Sequence, residues 1–196
     1  MTQHQLLELI LAAVLIVALI AVVAWAAAQK RRKESLRLQQ RFGSEYVRTV
    51  NELGRSKAEA ALAAREQRVQ TLDIVPLSAA DATKFRQAWV AIQARFIDDP
   101  KASVVEADHL VYDLMAKRGY PMGDFERRAA DISVDHPKVV SNYRAARAIA
   151  LRDERGEATT EELRKAVVHY RALFQELLEV RDTEPAVVRH RTVSVS

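Results

Sequence analysis

Apolar positions along the chain change their spacing twice, and each regime predicts a different kind of helix. From Leu6 to Ala28 the residues LLELILAAVLIVALIAVVAWAAA are interrupted by one charge, Glu8. Apolar on every face, and long enough to rise across a hydrocarbon core of ~30 Å, this run predicts a transmembrane helix.

From Ser44 to Leu72 the apolar positions thin to Tyr46, Val50, Leu53, Leu62, Val69 and Leu72, set among alanines. Glutamates recur seven apart as Glu45, Glu52, Glu59 and Glu66, and Arg41, Arg48 and Arg55 each precede one of them by four. This pattern predicts a long, charged stalk helix laced with i,i+4 pairs. Its seam is rich in alanine and broken by Gly54 and Lys57, which is poor for a strong coiled coil. The stalk is read as packing lightly on another surface, such as a second copy of itself, with a solvated spacer as the alternative.

Beyond Pro76 the apolar spacing becomes that of short amphipathic helices. Ser78 with Asp81 predicts a capped start, followed by Phe85, Ala88, Trp89, Ile92 and Phe96 on one face as the heart of the core. Asp99-Pro100 opens the next helix, which stops at Gly119. Asp124 caps a short helix, Asp135 with Pro137 is expected to cap another, and Thr159 with Glu162 forms a capping box before Leu163–Leu177. No alternating strand pattern occurs. The expected fold is therefore all-α: an anchor over 1–29, a basic juxtamembrane and stalk segment over 30–73, a bundle of about five helices over 74–179, and a disordered tail over 180–196.

Charge sharpens this division. Between Lys30 and Leu72 there are eleven Lys and Arg against five Glu, while Asp73–Ser196 is close to neutral. The excess begins with Lys30, Arg31, Arg32 and Lys33, placed to meet anionic headgroups at the membrane surface. Their position after the apolar run favours an outside amino terminus and a cytoplasmic domain. Trp25 then falls in the interface, where indoles are favoured. A cleavable export signal is the rival reading because small residues surround Trp25, but MTQHQ lacks the basic start of such signals. The near-neutral distal region gives no support to nucleic-acid binding. The chain contains no cysteine, which excludes disulfides and thiol chemistry.

Candidate chemistry is sparse. Glu106 and His109 stand three apart on one helix face, a metal-like fragment, but carboxylate-bridged metal bundles require a second such fragment, which does not occur. Asp131, Asp135 and His136 place acids beside an imidazole, yet Asp135 and Pro137 have structural explanations as helix starters. No phosphate-cradling glycine loop and no nucleophile in convincing context accompany them. Glu106, His109, Asp135 and His136 are thus weak metal candidates, and no cofactor is expected.

The segments RFGSEYVRTV, DFERRAADISVDHPKVVSNYRAARAIA and GEATTEELRKAVVHYRALFQELLE resemble a family of uncharacterised bacterial single-pass membrane proteins. The resemblance spans about Arg41 to Glu179. It implies a bacterial inner-membrane location and carries no activity. Taken together, these features point to a non-enzymatic membrane-anchored helical domain that serves as a scaffold or binds an unknown protein partner or itself. A metal-dependent or small-molecule-binding helical domain and an exported helical domain are the alternatives.

Overall fold

The computed structural model describes residues 3–178, with side chains from residue 15 onward. Among the described residues the regular elements are eight helices and no strand: α1 (Gln3–Phe42), α2 (Ser44–Leu53), α3 (Arg55–Gln70), α4 (Ala79–Arg95), α5 (Pro100–Lys117), α6 (Phe125–Asp135), α7 (Val140–Glu154) and α8 (Thr160–Leu177). The chain divides into two compact units, Met1–Gln67 and Arg68–Ser196, with the boundary inside α3.

In the first unit, the stalk differs from its expected form. A single helix, α1, carries the chain through the apolar run and the basic residues to Phe42 without a break. Gly43 and Gly54 then adopt φ of 52° and 75°, conformations that interrupt a right-handed helix and that glycine takes without side-chain strain. The expected stalk is thereby cut into α2 and α3. Nor is it a solvated rod, because Leu38, Phe42, Tyr46, Ala58 and Leu62 are buried.

Among the described residues no helix is long and apolar enough to cross a membrane. The apolar residues with described side chains, Leu15–Ala28, rise roughly 21 Å. The remainder of the expected span, Leu6–Val14, lies outside the described side chains, and the expected tail over 180–196 lies outside the described residues altogether.

In the second unit α4–α8 form a helical bundle. The central element is α8, which buries Leu163, Ala166, Tyr170, Leu173, Phe174 and Leu177 and packs chiefly on α7 and α5, while α4 packs on α5. Each such large side chain contributes about 1.5–3 kcal/mol by leaving water. Trp89 and Ile92 are buried as expected, and Phe85 and Phe96 are half-buried against them. The Trp89 ring stacks on Phe174 with centroids 4.9 Å apart.

Polar residues set the helix ends. The Ser78 hydroxyl accepts from the Asp81 N–H, Asp99 from Ala102 with Pro100 in the first turn, and Asp124 from Arg127. Thr159 and Glu162 cap each other reciprocally. The N–H and hydroxyl of Thr159, followed by Arg152, hold the Glu162 carboxyl down to about 2. Gly119 sits at φ 92°, and a Cβ there would collide with the Asp73 carbonyl, so the turn after α5 requires glycine.

Asp135 departs from its expected role. It is the last residue of α6, and α7 begins at Val140, preceded by Val139 with no side-chain cap. Pro137 disfavours a helical conformation at the residue before it, so α6 ends there and a turn through Val139 separates the helices. The joint between helices is real, but a turn rather than an Asp135 cap makes it.

An ion pair also reaches the interior of the second unit. Asp131 is completely buried, and its Oδ1 accepts from the Arg68 guanidinium through Nε at 2.9 Å and through Nη2. The carboxylate's second oxygen, Oδ2, has no hydrogen-bond partner among the described residues. Removing the arginine strands a charge in the interior, whereas removing both partners strands none. Arg68→Met therefore lowers the unfolding free energy of the full chain by about 3 kcal/mol in urea titrations. The double substitution Arg68→Met with Asp131→Leu recovers most of that loss. A double variant no more stable than Arg68→Met would show that the pair does not hold the interior together.

Candidate functional site

The residues best arranged to meet a ligand lie in the first unit, where α1 changes from apolar to basic. Below that change, three acids organise the unit. Glu59 is the meeting point of three elements: its Oε1 accepts from the Ser35 hydroxyl of α1 at 2.6 Å, from the Tyr46 hydroxyl of α2 at 2.9 Å and from Nε of Arg55 at 3.1 Å. The Ser35 hydroxyl is the main cause that pulls the Glu59 carboxyl below its ordinary 4.5, and Tyr46 and Arg55 add to it. Glu66 accepts from Arg37 at 2.6 and 2.9 Å and from Arg41 at 3.0 Å. Arg37 also holds Glu34, and these two acids, Glu66 foremost, push its guanidinium above its ordinary range. Glu45, buried, meets Arg48 at 3.2 Å and Arg65 at 3.5 Å.

Pairing runs in order, Ser35 with Glu59 and Arg41 with Glu66, so α1 and α3 travel side by side in the same direction. That arrangement brings Arg55, the first residue of α3, beside the basic turn of α1. Nη2 of Arg55 donates to the Ser35 Oγ at 2.6 Å. Arg31 and Arg32 stand four and three residues before Ser35 and share its face of the helix. A groove of about 790 Å³ results, lined by Lys30, Arg31, Arg32, Ser35, Arg55 and Glu59 among others. A second depression of about 640 Å³ on α1 is lined by Trp25, Lys30, Lys33 and Arg37. Among the described residues no ion pair engages Lys30, Arg31, Arg32 or Lys33, whereas Arg37, Arg41, Arg48, Arg55 and Arg65 each have a carboxylate.

The sequence candidates in the second unit have other occupations. Glu106 pairs with Arg95 at the surface. His109 lines a shallow hollow of about 300 Å³ with Glu106, Asp113, Ala88, Ile92 and Leu110. His136 caps the end of α6, is 8% exposed, and places Nδ1 3.2 Å from the Glu176 carboxylate on α8. Asp131 is committed to Arg68, and Asp135 is exposed. Among the described residues no three His, Asp or Glu side chains are grouped so as to hold a metal.

Sequence reasoning named Lys30–Lys33 but gave no place to Arg55, which the fold brings beside them. The available signal was the seven-residue repeat of glutamates, which marks one recurring helix face; two of its members, Glu45 and Glu66, prove buried and Glu59 largely so. A carboxyl held below its ordinary value in the folded state stabilises that state fully above pH 4.5, and the contribution disappears as pH falls below it. Hydrogen-exchange protection of α2 and α3, corrected for intrinsic rates, therefore declines on acidification below about pH 4.5. Glu59→Gln lowers protection at neutral pH and shrinks that decline, and an unchanged decline would assign the acid sensitivity to another group. Set against protein-family models, curated proteins and solved structures, the chain matches none.

Proposed function

We propose that this chain is a single-pass protein of the bacterial inner membrane, whose α4–α8 bundle is a non-enzymatic scaffold or protein-interaction domain on the cytoplasmic side. The observation that carries the membrane reading is the state of α1 between Leu15 and Trp25. Leu15, Ile16, Val17, Leu19, Ile20, Val22, Val23 and Trp25 are each 58–69% exposed, so no face of this apolar helix is covered. A helix apolar all round needs a non-aqueous surrounding, and lipid is the surrounding that covers every face at once. The same helix then presents Lys30, Arg31, Arg32 and Lys33, the cytoplasmic flank by the positive-inside rule.

The scaffold reading is supported by how the bundle uses its polar side chains. Asp131, His136 and Glu106 are spent on Arg68, Glu176 and Arg95, contacts that join or brace helices. Val90 and Ile97, seven apart, lie exposed along and just past α4, apolar surface that a partner or a second copy would cover.

Anchoring and orientation are read separately. The full chain stays with the membrane fraction through an alkaline carbonate wash, and a fluorescent protein fused after Ser196 is active in the cytoplasm. A phosphatase reporter, active only outside, is silent at the same position. Replacing Lys30, Arg31, Arg32 and Lys33 with glutamine raises the phosphatase signal. Release by carbonate overturns the anchor, and an active phosphatase fusion to the unaltered chain establishes the exported alternative.

A further inference from the structure

We propose that the groove between the basic turn of α1 and the start of α3 is a binding site for the phosphate of an anionic phospholipid, completed by Arg55. The inference rests on the membrane reading above and gives the basic turn a specific, folded partner in place of a diffuse attraction.

Three observations carry it. The first is that the cations lining the groove are not all alike. Every arginine from Arg37 to Arg65 is matched with a carboxylate, but Lys30, Arg31 and Arg32 have no ion pair among the described residues. Lys30 acts on Glu34 from beyond ion-pair distance, and the charge of Arg31 and Arg32 is left for something outside the chain. The acids nearest to them are already engaged: Glu34 by Arg37, and Glu59 by Ser35, Tyr46 and Arg55.

The second is that Arg55 is held in place yet open. Its Nε and Nη2 are fixed by Glu59 and Ser35, and Tyr46 stands beside it, while its side chain remains 68% exposed. An arginine held in place whose side chain still faces solvent is pre-organised to receive an oxyanion, and a guanidinium matches phosphate oxygens in both charge and geometry. Arg31 and Arg32 lie one helical turn nearer the apolar run than Ser35, and helical side chains lean toward the amino end. The three guanidinium-bearing side chains therefore border one space from two helices.

The third is where the groove leads. Its lining continues to Ala28, the last residue of the apolar run, and beyond that α1 is exposed on all faces to Leu15. A free phosphate or nucleotide has no use for that surface. A phospholipid uses both parts, its phosphate among Arg31, Arg32 and Arg55 and its acyl chains along α1 toward Trp25. A purely electrostatic collar, by contrast, does not need Arg55, which stands more than twenty residues from the basic turn in sequence and reaches it only through the fold.

The test uses the full chain with Trp89→Phe, so that Trp25 is the sole tryptophan, reconstituted into phosphatidylcholine bilayers containing phosphatidylglycerol. Quenching of Trp25 by brominated phosphatidylglycerol, compared with brominated phosphatidylcholine, gives the relative binding constant of the anionic lipid at the helix. The expected preference for phosphatidylglycerol falls about fivefold in Arg55→Gln, the share of one cation at an anionic surface. It falls comparably in Arg31→Gln, a side chain with no ion pair among the described residues, and is unchanged in Arg86→Gln on the exposed face of α4. Hydrogen exchange of α2 and α3 accompanies Arg55→Gln, and a preference restored in Arg55→Lys separates lost charge from a lost fold. A preference that survives both Arg55→Gln and Arg55→Lys intact, while Arg31→Gln abolishes it, overturns the groove in favour of a linear basic stretch. Loss of the preference in excess inorganic phosphate, at matched ionic strength, overturns the lipid as ligand in favour of a soluble anion. Absence of quenching by either brominated lipid defeats the anchor itself, a result distinct from quenching without preference, which defeats only the headgroup site.

Discussion

Alanine-rich helices have little apolar area to bury, and this constraint governs how the first unit is built. Between Ser35 and Gln67 only Leu38, Phe42, Tyr46 and Leu62 supply large buried side chains. Carboxylates supply the remainder: Glu45 and Glu59 each collect donors from more than one helix, and Glu66 takes two arginines of α1. An interior acid is costly unless its oxygens are satisfied, so such a hub fixes which side chains stand beside it more narrowly than oily contacts do. That is why Arg55 arrives beside the basic turn of α1. The position of the candidate groove is a by-product of satisfying Glu59.

The second unit solves the opposite problem. Large residues on α8 meet α5 and α7 in a conventional apolar core, and the polar residues work at helix ends or at single interior points. Arg118 is an example: nearly buried, it donates to the carbonyls of Val75 and Leu177 and ties the approach to α4 to the end of α8. Tyr170 is another, its hydroxyl given to Asp108 at 2.9 Å, with burial and then that acid pushing its phenol well above the ordinary range. Such residues are chemically capable yet already spent on holding the bundle together.

Much of the bundle was legible in the sequence because its signals are local. Ser78, Asp99, Asp124 and the Thr159–Glu162 pair each act within one turn of themselves, and each caps the helix it announces. Asp135 misled because the same two letters, an acid and a following proline, describe both the start of a helix and the end of the one before it. The first unit was less legible for a different reason. A repeat of Glu every seven residues states which face recurs, but not whether that face looks at water or at another helix. Only the breaks at Gly43 and Gly54 turn α2 and α3 back onto α1, and a single glycine in a helical pattern does not announce its dihedral angles. His136, at the end of α6, stands against Glu176 across forty residues of sequence, a separation no local pattern encodes.

The continuity of α1 has a mechanical meaning. From Gln3 to Phe42 the helix contains no glycine or proline, so it spans roughly 60 Å with no hinge. A rod of this kind transmits torque. Rotating or tilting its apolar portion turns Ser35, Arg37 and Arg41 with it, and these are the side chains that grip Glu59 and Glu66. The grip of α3 on α1 is thereby mechanically continuous with the apolar portion of the helix.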